Sequence, residues 1–218
     1  MRSRSVLIPS IFSDNPSVFK ERLTFAETVV HAAQFDVLDG AFCRGDDNLA
    51  IEAWPKFNLE YSEVHLMVKN PLEYLERIAE RKITRAIVHV ESEFDLEELR
   101  AKARELDLLL GFSINPDTDL AKLRQYFEVS NYIQLMGVNP GHTGQKMLDT
   151  TVSAVSYLKR IPNQRLYIVV DGGVTIDNAR ALVDAGASFL VATTALFGSG
   201  DPKDNYDKIL ATLDDDDH

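Results

Sequence analysis

The 218-residue sequence has little cysteine, no excess of positive charge and no long apolar run. Its one cysteine, Cys43, excludes an intramolecular disulfide and a multi-cysteine metal cluster, which fits a reducing compartment. The formal net charge of -11 and the lack of a lysine- and arginine-rich run disfavour nucleic acid and acidic membrane surfaces as partners. If the ligand is an anion, local groups must hold it against this overall charge.

No stretch approaches the roughly 20 apolar residues that cross a bilayer, so we expect no membrane-spanning segment. The start, MRSRSVLIPS, has too short an apolar region for a signal peptide. We therefore expect a cytoplasmic protein. The acidic end, DDDDH, predicts a solvated tail.

Short apolar runs recur along the chain, and amphipathic stretches of helical period separate most of them. The eight runs are SVLIPS, QFDV, EVHLMV, RAIVHVE, LLLGFSI, YIQLMGV, LYIVVDGG and FLVATT. The helical stretches include PLEYLERIAERK, DLEELRAKARELD, LAKLRQYFEV, DTTVSAVSYLKRI and TIDNARALVDAGA. Because the strands are almost continuously apolar, they predict a parallel sheet that helices cover.

A repeat of roughly 25 residues per strand and helix predicts one closed (β/α)8 TIM barrel. We expect it to be a single domain over residues 1–218 with a short acidic tail. The second unit is the weakest, since DNLAIEAW predicts only a short helix. An open, doubly wound sheet is the alternative, but IPSIFSDNP lacks the glycine-rich turn, GxGxxG, that usually follows its first strand.

Polar residues fall near the ends of nearly all the predicted strands. In such barrels the chemistry lies at the carboxyl ends of the strands, so these residues are candidates for a site. They are Ser10, Asp36, His65, His89, Glu91, Asn115, Asp171, Thr193 and Thr194. Each has an ordinary alternative, since a strand-end aspartate is often a helix cap and a strand histidine often packs in the core.

Asp36 and Asp171 differ from the other candidates because each is an acid that follows apolar residues within a predicted strand. A buried carboxylate is costly unless a metal ion, a cation or a shared proton compensates its charge. No lysine or arginine lies at a predicted strand end. We therefore interpret the pair as catalytic or metal-binding, with His65 as a nitrogen ligand.

Three glycine-bearing segments follow the last three predicted strands: NPGHTGQ, DGG and ATTALFG. Many barrels build a phosphate site at this place from backbone N–H groups. Such amides can hold a dianion without a lysine, even in an acidic protein. The alternative is that these glycines serve only tight turns.

Eight segments resemble, in order, the motif series of the ribulose-phosphate 3-epimerase family. They are IPSIFS, FDVLDGAF, VHLMVKNP, VHVES, INPDT, LMGVNPGHTGQKM, VVDGGV and VATTALFG, from about Val6 to Phe197. The resemblance implies a (β/α)8 barrel, a phosphorylated ketose substrate and a divalent metal ion, commonly zinc. We also expect a homo-oligomer.

The resemblance implies four metal ligands, Gln34, Asp36, His65 and Asp171. It further implies that the two aspartates act as acid and base on opposite faces of the sugar carbon next to the ketone. Gln34 departs from the family, which has an imidazole there. A neutral amide oxygen is a poorer ligand for zinc and suits harder ions, so manganese, magnesium or iron are alternatives.

The resemblance also implies a set of substrate-binding residues. They are Ser10, His65, Met67, Met136, Gly141, Thr143, Gly144, Gly172, Gly173, Thr193 and Thr194. Leu38 stands where the family has a further methionine. The loop DGAFCRGDDN departs from the family's histidine- and proline-containing loop, and its extra acids leave the identity of an anionic substrate open.

These features predict a 3-epimerase that interconverts D-ribulose 5-phosphate and D-xylulose 5-phosphate, or a close ketose phosphate such as allulose 6-phosphate. Asp36 and Asp171 would transfer the proton through a metal-stabilised ene-diolate. A decarboxylase with the same barrel would need lysine at Leu38. The remaining alternative is a non-catalytic sugar-phosphate-binding barrel that has lost its metal, against which the presence of both aspartates argues.

Overall fold

The computed structural model describes residues 6–44, 49–141, 144–162 and 165–214. Eight parallel strands close into a barrel, each pairing with the next and the last with the first. The predicted (β/α)8 barrel is confirmed. Among the described residues no helix has the length and hydropathy needed to cross a membrane.

The strands lie where the eight apolar runs predict them. They are β1 (Val6–Ile11), β2 (Ala32–Leu38), β3 (Tyr61–Met67), β4 (Arg85–His89), β5 (Leu109–Ile114), β6 (Tyr132–Met136), β7 (Tyr167–Asp171) and β8 (Phe189–Ala192). The α-helices are α1 (Pro16–Phe25), α2 (Leu72–Ala79), α3 (Leu96–Glu105), α4 (Thr151–Lys159), α5 (Ile176–Ala185), α6 (Thr194–Phe197) and α7 (Pro202–Asp214). A π-helical turn, Ala26–Val30, continues α1.

Two connections use 3₁₀ helices. In the weak second unit the described residues form only the short 3₁₀ helix Ile51–Ala53, as the sequence predicts. The stretch LAKLRQYFEV forms a 3₁₀ helix over Leu120–Tyr126 instead of a full α-helix. The acidic tail and the single-domain boundary stay predictions, since residues 215–218 lie outside the described ranges.

Helix α1 shows how local chemistry sets a helix start. The side-chain oxygen of Asn15 accepts hydrogen bonds from the backbone N–H groups of Ser17 and Val18, at 2.9 and 3.3 Å. Pro16 occupies the first helical position, where its missing N–H costs nothing. Phe19 and Leu23, four residues apart, form the buried face.

The alternation of side chains along β2 explains the acid in its apolar sequence. Phe35 points to the outside of the barrel, where its ring stacks on Phe19 of α1 and on Trp54, with centroids 6.0 and 4.8 Å apart. Burying each ring contributes about 2 kcal/mol. Because neighbours in a strand point to opposite faces, Asp36 points into the barrel.

The barrel interior is packed and is not a channel. An apolar cluster of Ile8, Ile87, Tyr132, Val169 and Val191 fills it, and each of these side chains is almost completely buried. The polar site lies on the carboxyl-terminal side of this cluster. The cluster therefore separates that site from the opposite end of the barrel.

A second polar group lies towards the amino-terminal ends of the strands. Glu63 is fully buried, and its Oε2 accepts hydrogen bonds from the hydroxyls of Tyr61 and Tyr132, at 2.5 and 2.7 Å. The Arg85 guanidinium donates to the Tyr61 hydroxyl and lies 3.8 Å from the centre of the Tyr132 ring. Burial raises the pKa of Glu63 to about 7, although the two tyrosines and Arg85 oppose it.

This carboxyl predicts a pH-dependent stability. A pKa raised from 4.5 to about 7 means that the stabilisation from Glu63 is complete below pH 4.5 and is lost as the pH rises through about 7. Glu63→Gln keeps an acceptor oxygen for the tyrosines but carries no charge. As the pH rises from about 4.5 to about 8, we expect the free energy of unfolding of wild type to fall by up to about 3 kcal/mol relative to that of Glu63→Gln.

Urea unfolding at several pH values measures this difference. Glu93→Gln is the matched control, because the Glu93 side chain is 72% exposed and should show no such trend. Parallel curves for wild type and Glu63→Gln would show that the buried carboxyl does not titrate in this range.

Candidate active site

The strand register brings distant residues together at the mouth of the barrel. Asp36 pairs with His65 across β2 and β3, and Met136 pairs with Asp171 across β6 and β7. Paired residues of parallel strands point to the same side of the sheet. One ligand atom from each of Asp36, His65 and Asp171 lies within 4.8 Å of the other two.

Gln34 lies between the two carboxylates. Its Nε2 donates to Asp36 Oδ1 and to Asp171 Oδ2, each at 2.8 Å. The side chain is fully buried, and its Oε1 has no hydrogen-bond partner among the described residues. The amide therefore bridges the pair as a donor.

Two further buried donors reach the same carboxylates. The Ser10 hydroxyl donates to Asp36 Oδ2 at 2.5 Å, and Gln134 Nε2 donates to Asp171 Oδ2 at 3.0 Å. Asp171 also lines the cavity, so its carboxyl can reach a ligand there.

His65 supplies the positive charge that no lysine or arginine supplies. Its Nδ1 lies 3.1 Å from Asp171 Oδ2 and 3.5 Å from Asp36 Oδ1, a contact of charge without hydrogen-bond alignment. Burial lowers the pKa of His65, but these carboxylates outweigh it and raise the pKa to about 9. At neutral pH the ring is an imidazolium that compensates part of the buried negative charge.

Asp171 is shifted towards its protonated form. Burial raises the pKa of its carboxyl, Asp36 adds to the rise, and His65 and Gln34 oppose it. A raised pKa favours the protonated carboxyl, which is the form that donates a proton in general acid catalysis.

His89 lies directly behind His65. Its Nε2 is 2.8 Å from His65 Nε2, and its Nδ1 is 3.2 Å from Glu91 Oε2. Burial lowers the pKa of His89 to about 4, with a smaller contribution from His65, while Glu91 opposes the fall. His89 is therefore neutral at physiological pH.

Three residues of this site have no role in the sequence-based prediction. His89 and Glu91 appear there only as strand-end residues, and Gln134 does not appear. The available signal for Gln134 was a polar residue inside the apolar run YIQLM, because such a residue needs a buried partner.

A cavity of about 220 Å³ opens over the two aspartates, both of which line it. Its lining includes the predicted substrate residues Met67, Met136, Gly141, Gly144, Gly172, Gly173, Thr193 and Thr194, together with Phe12 and Leu38. Ser10 and His65, also predicted to bind substrate, are fully buried and contact the aspartates. Thr143 lies outside the described residues.

The positions of the cavity lining require glycine for different reasons. Gly172 and Gly173 have φ values of 95° and 70°, and an added Cβ would lie 2.5 Å from Val138 Cγ2 or 2.6 Å from the Met147 nitrogen. Tight turns alone explain these two. Gly144, with φ of 78°, is different, because only Thr194 Oγ1, at 3.9 Å, lies near its Cβ position.

Asp39, which directly follows β2, has a structural role. Its carboxylate accepts from the backbone N–H groups of Ala41, Phe42 and Lys69, at 2.9, 2.8 and 2.6 Å. These bonds lower the pKa of Asp39 despite its partial burial. They shape the loop after β2, whose extra acids, at positions 46 and 47, lie outside the described residues.

The donor set fits a divalent cation. Two carboxylates and one imidazole are common ligands for such ions. Gln34 adds an amide whose Oε1 has no partner among the described residues, so a half-turn of the amide would turn that oxygen towards the carboxylates.

The sequence pattern of the Ribulose-phosphate 3 epimerase family matches residues 6–197. A ribulose-phosphate 3-epimerase of Aquifex aeolicus is 30% identical over 142 residues, which cover 64% of this chain and 64% of that protein. One of Synechocystis sp. is 30% identical over 219 residues, covering 97% of this chain and 94% of that protein.

Among solved structures, a mutant tryptophan synthase alpha-subunit from Pyrococcus furiosus superimposes with a TM-score of 0.71. It is 15% identical and the match covers 97% of this chain and 98% of that one. At this identity the likeness shows a shared barrel fold alone.

The position of Gln34 predicts a change of metal affinity. In Gln34→His an imidazole nitrogen, a stronger zinc ligand than an amide oxygen, replaces the bridging donor. We expect zinc to bind about 10- to 100-fold more tightly, with a smaller gain for manganese and magnesium. Calorimetric titration of the metal-stripped proteins measures the affinities.

Gln125→His is the control, since it adds a histidine on the exposed surface. Its zinc affinity should equal that of wild type. If Gln34→His also binds zinc no better than wild type, position 34 is not a ligand position and the ligand set reduces to Asp36, His65 and Asp171.

Proposed function

This chain belongs to the ribulose-phosphate 3-epimerase family, and on that premise we propose that it is an isomerase that interconverts D-ribulose 5-phosphate and D-xylulose 5-phosphate. Allulose 6-phosphate, a close ketose phosphate, is the alternative substrate. One observation carries the proposal: Asp36 and Asp171 line the same cavity from strands that lie apart in the barrel. A homo-oligomeric assembly and a cytoplasmic location stay predictions.

Epimerisation needs an acid and a base on opposite faces of one carbon. A proton leaves one face of C3, an ene-diolate forms, and a proton returns to the other face. The raised pKa of Asp171 suits it to deliver the proton while the Asp36 carboxylate removes one. The two roles exchange when the opposite epimer is the substrate.

Charge near the aspartates stabilises the ene-diolate. A divalent ion held by Asp36, His65 and Asp171, with the Gln34 amide oxygen as a fourth ligand, would supply positive charge near the developing ene-diolate. We propose zinc, manganese, magnesium or iron for this ion. Without the ion, the imidazolium of His65 lies against the same carboxylates and supplies charge of the same sign.

The walls of the cavity strengthen these interactions. Leu38, Met67 and Met136 give it an apolar lining near the aspartates. Apolar walls exclude water, and charges interact more strongly where water is excluded. Ser10 and Gln134 hold the aspartates in place by hydrogen bonds, which limits their movement during the reaction.

The substrate phosphate would bind at the part of the cavity lining that Gly144, Gly173 and Thr194 form. Backbone N–H groups there are suitable donors to a dianion. The Gly144 Cβ position has only one ordinary contact, Thr194 Oγ1 at 3.9 Å, so there is room for a ligand beside this backbone, which supports the proposal.

One observation favours a second function. Because the Gln34 amide already bridges both carboxylates, the site is stable as a hydrogen-bonded group without catalysis. A barrel of this kind could bind a sugar phosphate as a sensor. Exchange of the C3 proton of ribulose 5-phosphate with deuterated water separates the two, because only the epimerase catalyses it.

Asp171→Asn tests the acid and base assignment. An amide cannot transfer the proton, so we expect turnover to disappear while the barrel stays folded and sugar phosphate still binds. Asp177→Asn, at an exposed position of α5, is the control and should keep full activity. Epimerase activity of Asp171→Asn above about one tenth of wild type would refute the assignment.

Gly144→Ala tests the phosphate site. At φ of 78° an alanine is strained, and its methyl group would stand beside Thr194 Oγ1, so we expect weaker binding of ribulose 5-phosphate. Gly200→Ala is the matched control, with φ of 76° and only ordinary contacts with Asn205, at 3.8 and 3.9 Å, around its Cβ position. Calorimetry in the Asp171→Asn background measures binding without turnover.

Dephosphorylated ribulose should bind both glycine variants equally weakly. If ribulose binds wild type as tightly as its phosphate, or if both glycine variants weaken phosphate binding equally, the proposed donors are wrong.

A further inference from the structure

A continuous row of contacts runs from the loops after β4 and β5 to the two aspartates. The backbone N–H of Asn115 donates to Glu91 Oε1 at 2.9 Å. Glu91 Oε2 lies 3.2 Å from His89 Nδ1, and His89 Nε2 lies 2.8 Å from His65 Nε2. The described reaction uses neither His89 nor Glu91.

The chemistry of Glu91 determines where the protons lie in this row. An ionised carboxylate only accepts hydrogen bonds, so its contact with His89 requires a proton on Nδ1 of that ring. When the His89 ring carries one proton, Glu91 therefore fixes it on Nδ1 and leaves a lone pair on Nε2. The short contact between the rings is a hydrogen bond only if Nε2 of His65 carries a proton and donates it.

We propose that His89, oriented by Glu91, is a positioning residue that keeps a proton on His65 Nε2 and thereby holds His65 Nδ1 towards Asp36 and Asp171. Nδ1 of His65 can then bind a cation or carry the positive charge that faces the carboxylates. Partners of this kind set the orientation and the tautomer of a ligating histidine in metal sites. The inference concerns the ring of His65 and does not depend on which sugar phosphate binds.

A packing role is the competing explanation. His89 is fully buried, its ring stacks on His65 with centroids 4.9 Å apart, and the Phe42 ring lies 4.6 Å away. If packing were its purpose, an apolar residue would serve as well. The Glu91 carboxylate, 17% exposed, accepts from the Asn115 N–H through Oε1 and still directs its other oxygen to the ring, a contact that packing alone does not require.

The direct test is nitrogen NMR of the zinc-free protein with labelled histidine side chains. We expect neutral His89 to be protonated on Nδ1 only and His65 to carry a proton on Nε2. Loss of signals in His89→Gln assigns the His89 ring. A proton on His89 Nε2 would reverse the direction of the contact and overturn the proposal.

Two variants separate positioning from packing by zinc affinity. His89→Gln places an amide oxygen that can still accept from His65, whereas His89→Leu is apolar and cannot accept. We expect zinc to bind His89→Leu about 10- to 100-fold more weakly than wild type, with His89→Gln close to wild type. If His89→Leu binds zinc as well as His89→Gln, or is the less impaired of the two, His89 has only a packing role.

Glu91→Gln tests the second half of the row. We expect it to weaken zinc binding, with no additional loss when it is combined with His89→Leu, because it acts through His89. Glu93→Gln, at a largely exposed side chain nearby in the chain, should have no effect. Additive losses would show that Glu91 acts independently. Failure of epimerase activity alone would count against the proposed function and leave this NMR and zinc result unchanged.

Discussion

The close approach of Asp36 and Asp171 at the barrel mouth is the constraint on which the site depends. Two carboxylates that share a buried place repel each other and lose their water. Neighbouring side chains offset the lost hydration and the repulsion. The Gln34 amide donates to both carboxylates, and Ser10 and Gln134 each donate one hydrogen bond. His65 supplies positive charge beside them. The two aspartates and these neighbours together come from five different strands, so the site exists only when the barrel is closed.

Gln34 gives this site a character that an imidazole could not. An amide has a donor end and an acceptor end, so one side chain can bridge two carboxylates or, after a half-turn, face a cation with its oxygen. His65 is similar, because its Nδ1 can carry a proton or a metal ion while Nε2 faces His89. The same residues thus suit both a metal-loaded and a metal-free site, and the barrel does not have to rearrange between them.

The barrel contains two buried acids, Glu63 and Asp171, that have different roles. Glu63 lies towards the amino-terminal side of the strands and is surrounded by Tyr61, Tyr132 and Arg85. The apolar cluster lies between it and the cavity, where burial acts on Asp171. Burial raises the pKa of both carboxyls, but only Asp171 lines the cavity and can reach a ligand.

The sequence by itself determined the barrel, because eight apolar runs at a regular spacing leave few other ways to bury both faces of a parallel sheet. The same rule placed Asp36, His65 and Asp171 at one end, since all strands of a parallel barrel end there. Only the tertiary structure decided which atoms meet: that Gln34 donates to both aspartates, that Gln134 supports Asp171, and that His89 backs His65. Gln34 and Asp171 are 137 positions apart, and a hydrogen bond between them depends on side-chain directions that no local pattern records.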